Sequence, residues 1–409
     1  MLKKSMPGRR GLLYRISVYQ RTEIRRSASF FMEPIEVADN AAMGNRWPDR
    51  RILDLFGIEL PIIQAPMAGA GLSDLAIAVS EAGGLGSLPC AMLSPDSARS
   101  ELTLFRQRTS RPINVNFFCH RPPLVDAVRQ EQWRQRLASY YVEVGLDPGA
   151  ELASANRMPF DDAMCDLIEE FKPEVVSFHF GLPTPELLER VRSTGAKILS
   201  SATTVGEAEW LAQRGIDAVI AQGLEAGGHR GMFLEDDVAL QVGTIALIPQ
   251  IVDAVGIPVI AAGGIADARG IAAAFALGAS AVQIGTAYLF CPEATVSPKH
   301  RQALVNSKQR PTVLTNVFTG RPARGFLNRF ISEVGPMADN APEFPLAYGA
   351  VVPLRSKAEA AGSDEFTPLW SGQAASLSRS FPAGQLTREL ASETLRRLKK
   401  LSSPEHPNL

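Results

Sequence analysis

Three glycine-marked turns, each at the end of a short apolar run, constrain this 409-residue chain more than any other feature. The runs Ala218 to Ile220, Val259 to Ala262 and Ala281 to Ile284 give way to Gln222-Gly223-Leu224-Glu225-Ala226-Gly227-Gly228-His229, to Gly263-Gly264-Ile265 and to Gly285-Thr286. Glycine tolerates a positive φ and leaves backbone N–H groups unshielded, so such turns can cradle a phosphate without a large basic patch. Parallel barrels hold phosphate in the loops after their last strands. The spacing therefore predicts a (β/α)8 barrel that sets a phosphorylated cofactor against Gly227, Gly228, Gly263, Gly264 and Gly285.

The rest of the chain fits that frame. From Ile52 to Pro292 short apolar runs alternate with amphipathic stretches, the pattern of βαβ units. Eight strands are predicted: Pro61 to Met67, Gly86 to Ala91, Ile113 to Phe118, Val175 to Gly181, Ala196 to Ala202, Ala218 to Gln222, Pro258 to Gly263 and Ala281 to Tyr288. Val205, Ala208, Leu211 and Ala212 share one helical face, and Gly215 and Gly278 mark helix stops. The connection Arg121 to Pro173 is too long for one barrel step and has room for two helices forming a lid or side element. After Phe290 the alternation ends. Val313 to Gln373 reads as an irregular domain over the barrel mouth, and a final helix from Leu386 to Leu401 carries Arg396, Arg397, Lys399 and Lys400 on a solvated face. The fold class is α/β: a (β/α)8 TIM barrel over residues 52–292 with a smaller C-terminal substrate or lid domain over 293–409.

Residues 1–51 form a basic extension in which Lys3, Lys4, Arg9, Arg10, Arg15, Arg21, Arg25 and Arg26 face only Glu23 before Met32. Its composition resembles a basic targeting peptide, but it lacks the apolar core of a secretory signal and reads rather as translated upstream sequence, with Met32 or Met43 as the working start. Over the whole chain, 42 Lys and Arg against 43 Asp and Glu give a net charge of -1. That balance argues against nucleic acid or a membrane surface as partner, and no apolar run reaches the length of a membrane span. Cys90, Cys119, Cys165 and Cys291 lack zinc or disulfide spacing and read as free thiols of a cytoplasmic protein. Small molecules are the expected partners, with a homodimer as the assembly the chain could adopt.

Side chains alternate along a strand, so candidate chemistry can be sorted by face. In Val175 to Gly181, Ser177 and His179 share one face while Val176, Phe178 and Phe180 meet the outer helices. His179 then points into the barrel near the C-terminal end of its strand, where such barrels keep catalytic groups. The same reasoning turns Asn114, Asn116, Gln283 and Gly285 inward, and Gln64 and Gln222 add amides at strand ends. A strand histidine can be a satisfied core group, and amides can merely tie strands together; the shared barrel mouth favours a ligand, because unpaired buried amides are costly. His229 reads equally as a ligand neighbour or as a loop residue with local hydrogen bonds.

With those residues in hand, the chain resembles the nitronate monooxygenases, the flavin family once called 2-nitropropane dioxygenases. The motifs that carry the resemblance are Gln64-Ala65-Pro66-Met67-Ala68-Gly69, Ser177-Phe178-His179-Phe180-Gly181, Gln222 to His229, and Gln283-Ile284-Gly285-Thr286, with Phe366 to Gln373 extending it into the tail. The resemblance implies noncovalent FMN in a TIM barrel, with Met67, Asn116, Gln222, Gly227, Gly264, Gln283, Gly285 and Thr286 as contacts and His179 as the catalytic residue. It also implies that an alkyl nitronate, such as propionate 3-nitronate, reacts with O2 to a carbonyl compound and nitrite. An imidazole that titrates near neutral pH could take a proton from a nitroalkane or, once charged, hold the nitronate. Two other readings keep part of this: an FMN-dependent NAD(P)H:quinone or enoyl reductase, and a flavin- or phosphate-binding protein without redox turnover.

Overall fold

The computed structural model describes residues 47–150 and 157–402, so the basic extension lies, apart from residues 47–51, outside the described residues. In chain order the strands are β1 (Ile62–Gln64), β2 (Gly86–Pro89), β3 (Ile113–Phe118), β4 (Val175–His179), β5 (Lys197–Ala202), β6 (Ala218–Gln222), β7 (Gly228–His229), β8 (Val259–Ala262), β9 (Ala281–Ile284), β10 (Thr312–Thr315) and β11 (Ala323–Phe326). Eight of them form one parallel sheet in the order β1-β9-β8-β6-β5-β4-β3-β2. A bridge between Ile63 and Leu85 joins its two edges, with the Gln64 N–H donating to the Leu85 carbonyl at 2.9 Å. The sheet closes into the (β/α)8 barrel, and each of its strands falls inside a range predicted from the apolar runs.

Helices form between the strands because polar caps meet their first free N–H groups. Ser94, Asp126, Asp161, Thr184, Thr204 and Asp267 each accept from a backbone N–H in the first turn, an interaction worth about 1 kcal/mol apiece. The strand faces sort as alternation demands. Val115, Phe117, Val176 and Phe178 join Leu102, Phe105, Ile168 and Val191 of the surrounding helices in the main core. Inside the barrel the Asn114 amide donates to Ser87 Oγ at 2.9 Å, and Gln64 Oε1 accepts from the Ser87 N–H at 2.8 Å. Phe180 breaks the alternation. Its φ of 71° ends β4 at His179 and sets the Phe180 ring edge-on to Phe118, centroids 4.8 Å apart, rather than on the outer helices.

The described C-terminal region is more regular than its composition suggests. The helix Ala383–Ser402 packs on the helices Ser73–Glu81 and Ala268–Ala276, and it buries Leu386, Leu390 and Ala391 in the main core. Its basic residues Arg396 and Arg397 are exposed. Tyr288 and Thr387 share a buried hydroxyl–hydroxyl hydrogen bond of 2.8 Å that ties this helix to the chain just after β9. The segment before it is regular too: β10, β11 and β7 make a small antiparallel sheet, accompanied by the helices Arg329–Val334 and Ala347–Ala360. The long third connection does supply two helices, Ala127–Glu143 and Asp162–Phe171. The first belongs to the tail's own core, where Trp133, Leu137 and Tyr141 gather with Phe318, Phe330, Val351, Leu354 and Phe366. Two segments far apart in sequence thus build one cap.

Because Leu390 is fully buried against the barrel, Leu390→Ala should destabilise the whole molecule by about 2–5 kcal/mol. Thermal unfolding should show a single lowered transition. A separate early melt of the C-terminal helix, with the main transition unmoved, would contradict this packing.

Candidate active site

Strand ends converge on one cavity of about 280 Å³, lined by Asn116 of β3, His179 of β4, Ser201 of β5, Gln222 of β6, Ala262 of β8 and Gln283 of β9. Met67, Gly227, Gly228, Gly263, Gly264, Gly285 and Thr286 line it as well. The structure therefore brings together every residue that the sequence singled out for catalysis or cofactor contact. Asn114 and Gln64, the other inward amides, lie deeper in the barrel network.

One end of the cavity is built from backbone. Gly263 and Gly264 have φ of 110° and 68°, a region that strains any side-chain-bearing residue. A Cβ on Gly264 would meet Glu225 at 3.2 Å, and a Cβ on Gly227 would come within 2.5 Å of the Gly372 nitrogen. Close approach therefore requires glycine at both turns. The tail segment is tied to the same place: the Gly372 N–H donates to Thr286 Oγ1 at 2.9 Å and the Gln373 N–H to the Glu225 carbonyl at 3.0 Å. The Glu225 carboxylate accepts from the Thr244 N–H at 2.8 Å and caps the helix Thr244–Ala254. Nearby, Gln283 Oε1 is buried without a hydrogen-bond partner, a costly state that a donor on a ligand would relieve.

His179 is fixed at both ring nitrogens. Its Nε2 lies 3.2 Å from the His229 carbonyl, which can only accept, so Nε2 carries the hydrogen. Its Nδ1 lies 3.0 Å from Ser201 Oγ and is the lone-pair nitrogen, accepting from that hydroxyl. The ring lines the cavity, and burial drives its pKa down to about 3, with Arg321 and Arg230 adding a smaller downward push. The lowered pKa favours the neutral imidazole over the charged form that an unperturbed pKa would allow. The ring of His229 also stays neutral, its pKa lowered well below the usual value first by burial. Its Nε2 meets Thr319 Oγ1 at 2.9 Å, while its carbonyl accepts from Gln222 as well as His179.

The cavity also holds cations that periodicity did not reveal. Arg157, Tyr348 and Arg355 line it. The Arg157 guanidinium sits 4.5 Å over the Tyr348 ring. Burial lowers its pKa, and Tyr348 is its hydrogen-bonding partner. Arg355 Nη1 lies 3.5 Å from the Tyr348 hydroxyl while its Nε donates to Glu359 at 2.9 Å. Phe118, Ser201, Thr319 and Trp370 also line the wall. Phe118 and Ser201 carried a sequence signal, their place at the C-terminal end of a barrel strand, and Trp370 lies in the Phe366 to Gln373 stretch of the resemblance, whereas Thr319 carried none. Among the described residues no three His, Cys, Asp or Glu side chains gather as metal ligands, and no helix is long and apolar enough to cross a membrane.

Comparison with known proteins agrees with this architecture. The sequence model of the family described as nitronate monooxygenase matches residues 49–393. A nitronate monooxygenase of Paraburkholderia phytofirmans is 42% identical over 354 residues, 86% of this chain and 97% of that protein. One of Pseudomonas aeruginosa is 41% identical over 84% of this chain and 98% of its own length. Among solved structures, nitroalkane oxidase from Streptomyces ansochromogenes superposes with a TM-score of 0.78 at 39% identity, covering 86% of this chain and all of that one. FabK from Thermotoga maritima superposes with a TM-score of 0.66 at 33% identity, covering 86% and 97%. On the family match across the barrel and cap, the chain belongs to the nitronate monooxygenase family.

Proposed function

We propose that the protein is an FMN-dependent nitronate monooxygenase that oxidises alkyl nitronates with O2 to a carbonyl compound and nitrite, propionate 3-nitronate being the substrate that suits the cavity best. The observation that carries this reading is one cavity holding both a side-chain-free cradle and an arginine, Arg157, with no carboxylate partner among the described residues. The cradle fits FMN: Gly227, Gly263, Gly264, Gly285 and Thr286 would hold its phosphate. Gln283, with its buried unpartnered Oε1, fits a ligand that donates hydrogen bonds, and Met67, Asn116, Gln222 and Gly228 would complete the contacts. When bound, FMN supplies the electron acceptor and the reductant of O2.

The remaining work falls to this chain's own side chains. A half-buried guanidinium with no carboxylate partner among the described residues is costly, and an anionic substrate would offset that cost at Arg157, with Arg355 and the Tyr348 hydroxyl beside it. Propionate 3-nitronate brings two negative charges, a carboxylate for this end and a nitronate for the other. His179, its Nε2–H committed to the His229 carbonyl and its pKa lowered by burial, would flank a nitronate as a neutral ring that does not protonate it. Phe118, Phe344 and Trp370 keep water scarce around these groups, which strengthens each of the polar contacts. The likeness to FabK keeps an NAD(P)H-dependent reductase as the second reading.

Anaerobic mixing separates the two: a nitronate should bleach the flavin while NADH and NADPH leave it oxidised, and the reverse result would favour the reductase. Gly264→Val should weaken FMN at least ~100-fold, since strain at a positive φ and a blocked approach add up to a few kcal/mol; a purified variant with stoichiometric FMN would overturn the cradle. Arg157→Met should raise KM for propionate 3-nitronate ~10–100-fold, as expected for a lost charge-assisted contact, and change KM for ethylnitronate little. Equal loss with both substrates would remove Arg157 from carboxylate recognition.

A further inference from the structure

The edge of His179 that carries its lone pair is walled off. Ser201 Oγ stands 3.0 Å from Nδ1 and donates to it. Gly231 closes the same edge: a Cβ there would lie 2.9 Å from His179 Cε1 and 3.0 Å from Ser201 Cβ, so its backbone packs flush against the ring. Gly231 is itself held by its N–H, which donates to Gln222 Oε1 at 2.8 Å. The opposite nitrogen is spent on the His229 carbonyl, which the Gln222 side-chain amide also engages from 3.1 Å. Neither nitrogen offers a free lone pair to the cavity.

We propose that Ser201 is a specificity-determining residue: by donating its hydroxyl hydrogen to Nδ1 it occupies the only lone pair of His179 and confines the site to substrates that arrive already deprotonated. This rests on the nitronate reading above and adds to it the exclusion of neutral nitroalkanes. A nitroalkane becomes a nitronate when a base takes its α-hydrogen as a proton; the C–H bond breaks, an N–H bond forms on the base, and the electron pair moves onto the nitro oxygens. His179 can be that base only through Nδ1, and Ser201 holds Nδ1. Burial reinforces the block, because a neutral imidazole in this site gains a proton reluctantly. Ser201 thus acts through His179 rather than on the reacting atoms.

The test compares flavin-loaded wild type with Ser201→Ala, using ethylnitronate and neutral nitroethane. Freed of its donor, Nδ1 should raise the ratio of kcat/KM for nitroethane to kcat/KM for ethylnitronate at least ~10-fold. Flavin reduction by nitroethane should then slow on deuteration at its α-carbon. Ser201→Cys, nearly isosteric with a weaker donor, should fall between the two. A ratio that stays level or drops would overturn the proposal, a drop marking Ser201 as a proton relay. A second measurement needs no variant: the imidazole 15N shifts of His179 in the wild-type protein should show Nε2 protonated and Nδ1 bare, and a hydrogen on Nδ1 would also overturn it. Failure of wild type to consume O2 with any nitronate would instead strike the proposed function, leaving the tautomer measurement to decide the role of Ser201.

Discussion

Gln222 holds the site together. At the end of β6 its Oε1 accepts from the Gly231 N–H at 2.8 Å, its Nε2 donates to the His229 carbonyl at 3.1 Å, and its own carbonyl accepts from Arg230 at 2.9 Å. One buried amide therefore closes the loop from Gly223 to Gly231 on itself and satisfies both of its own polar ends. Everything else about the cavity follows from that closure. It presents the carbonyl that fixes the tautomer of His179, and it brings Gly231 against the imidazole. It also holds Gly228 and His229 extended, so that β7 can pair with β11.

That pairing explains why barrel and cap form one unit around the cavity. The loop after β6 is a strand of the cap's sheet, the tail segment Ser371 to Gln373 returns to Glu225 and Thr286, and the helix Ala383–Ser402 goes back to the barrel wall. The consequence is electrostatic as much as mechanical. Phe344 and Trp370 of the cap stand 5.3 and 5.5 Å from His229. Such burial lowers the pKa of His120 to about 4, of His179 to about 3 and of Arg157 below its ordinary value. A dry site of this kind favours ligands that bring their own negative charge.

The barrel was legible in the sequence because its signals are local. Largely apolar stretches of five to eight residues marked all eight strands, and a period of two turned Asn116, His179 and Gln283 to one side. Paired glycines at strand ends needed no alignment to be read as close-approach turns. What stayed hidden depends on contacts between distant segments. Arg157 lies on the long third connection and meets Tyr348 only because the helix Ala127–Glu143 shares a core with the tail. The left-handed turn at Phe180 has no sequence mark, since residues other than glycine rarely adopt it. The neutral state of His179 was equally out of reach: its nearest model is an exposed imidazole, and the cap that buries it was read as irregular.

The central claim is that side-chain-free turns hold a phosphoryl group, and its most direct test is a comparison of two ligands that differ only there. Titrating flavin-free protein with FMN and with riboflavin, followed by quenching of flavin fluorescence, isolates the phosphate. The account predicts that FMN binds at least ~100-fold more tightly than riboflavin, a difference of about 2.7 kcal/mol. Equal affinities for the two, or no binding of either, would contradict it.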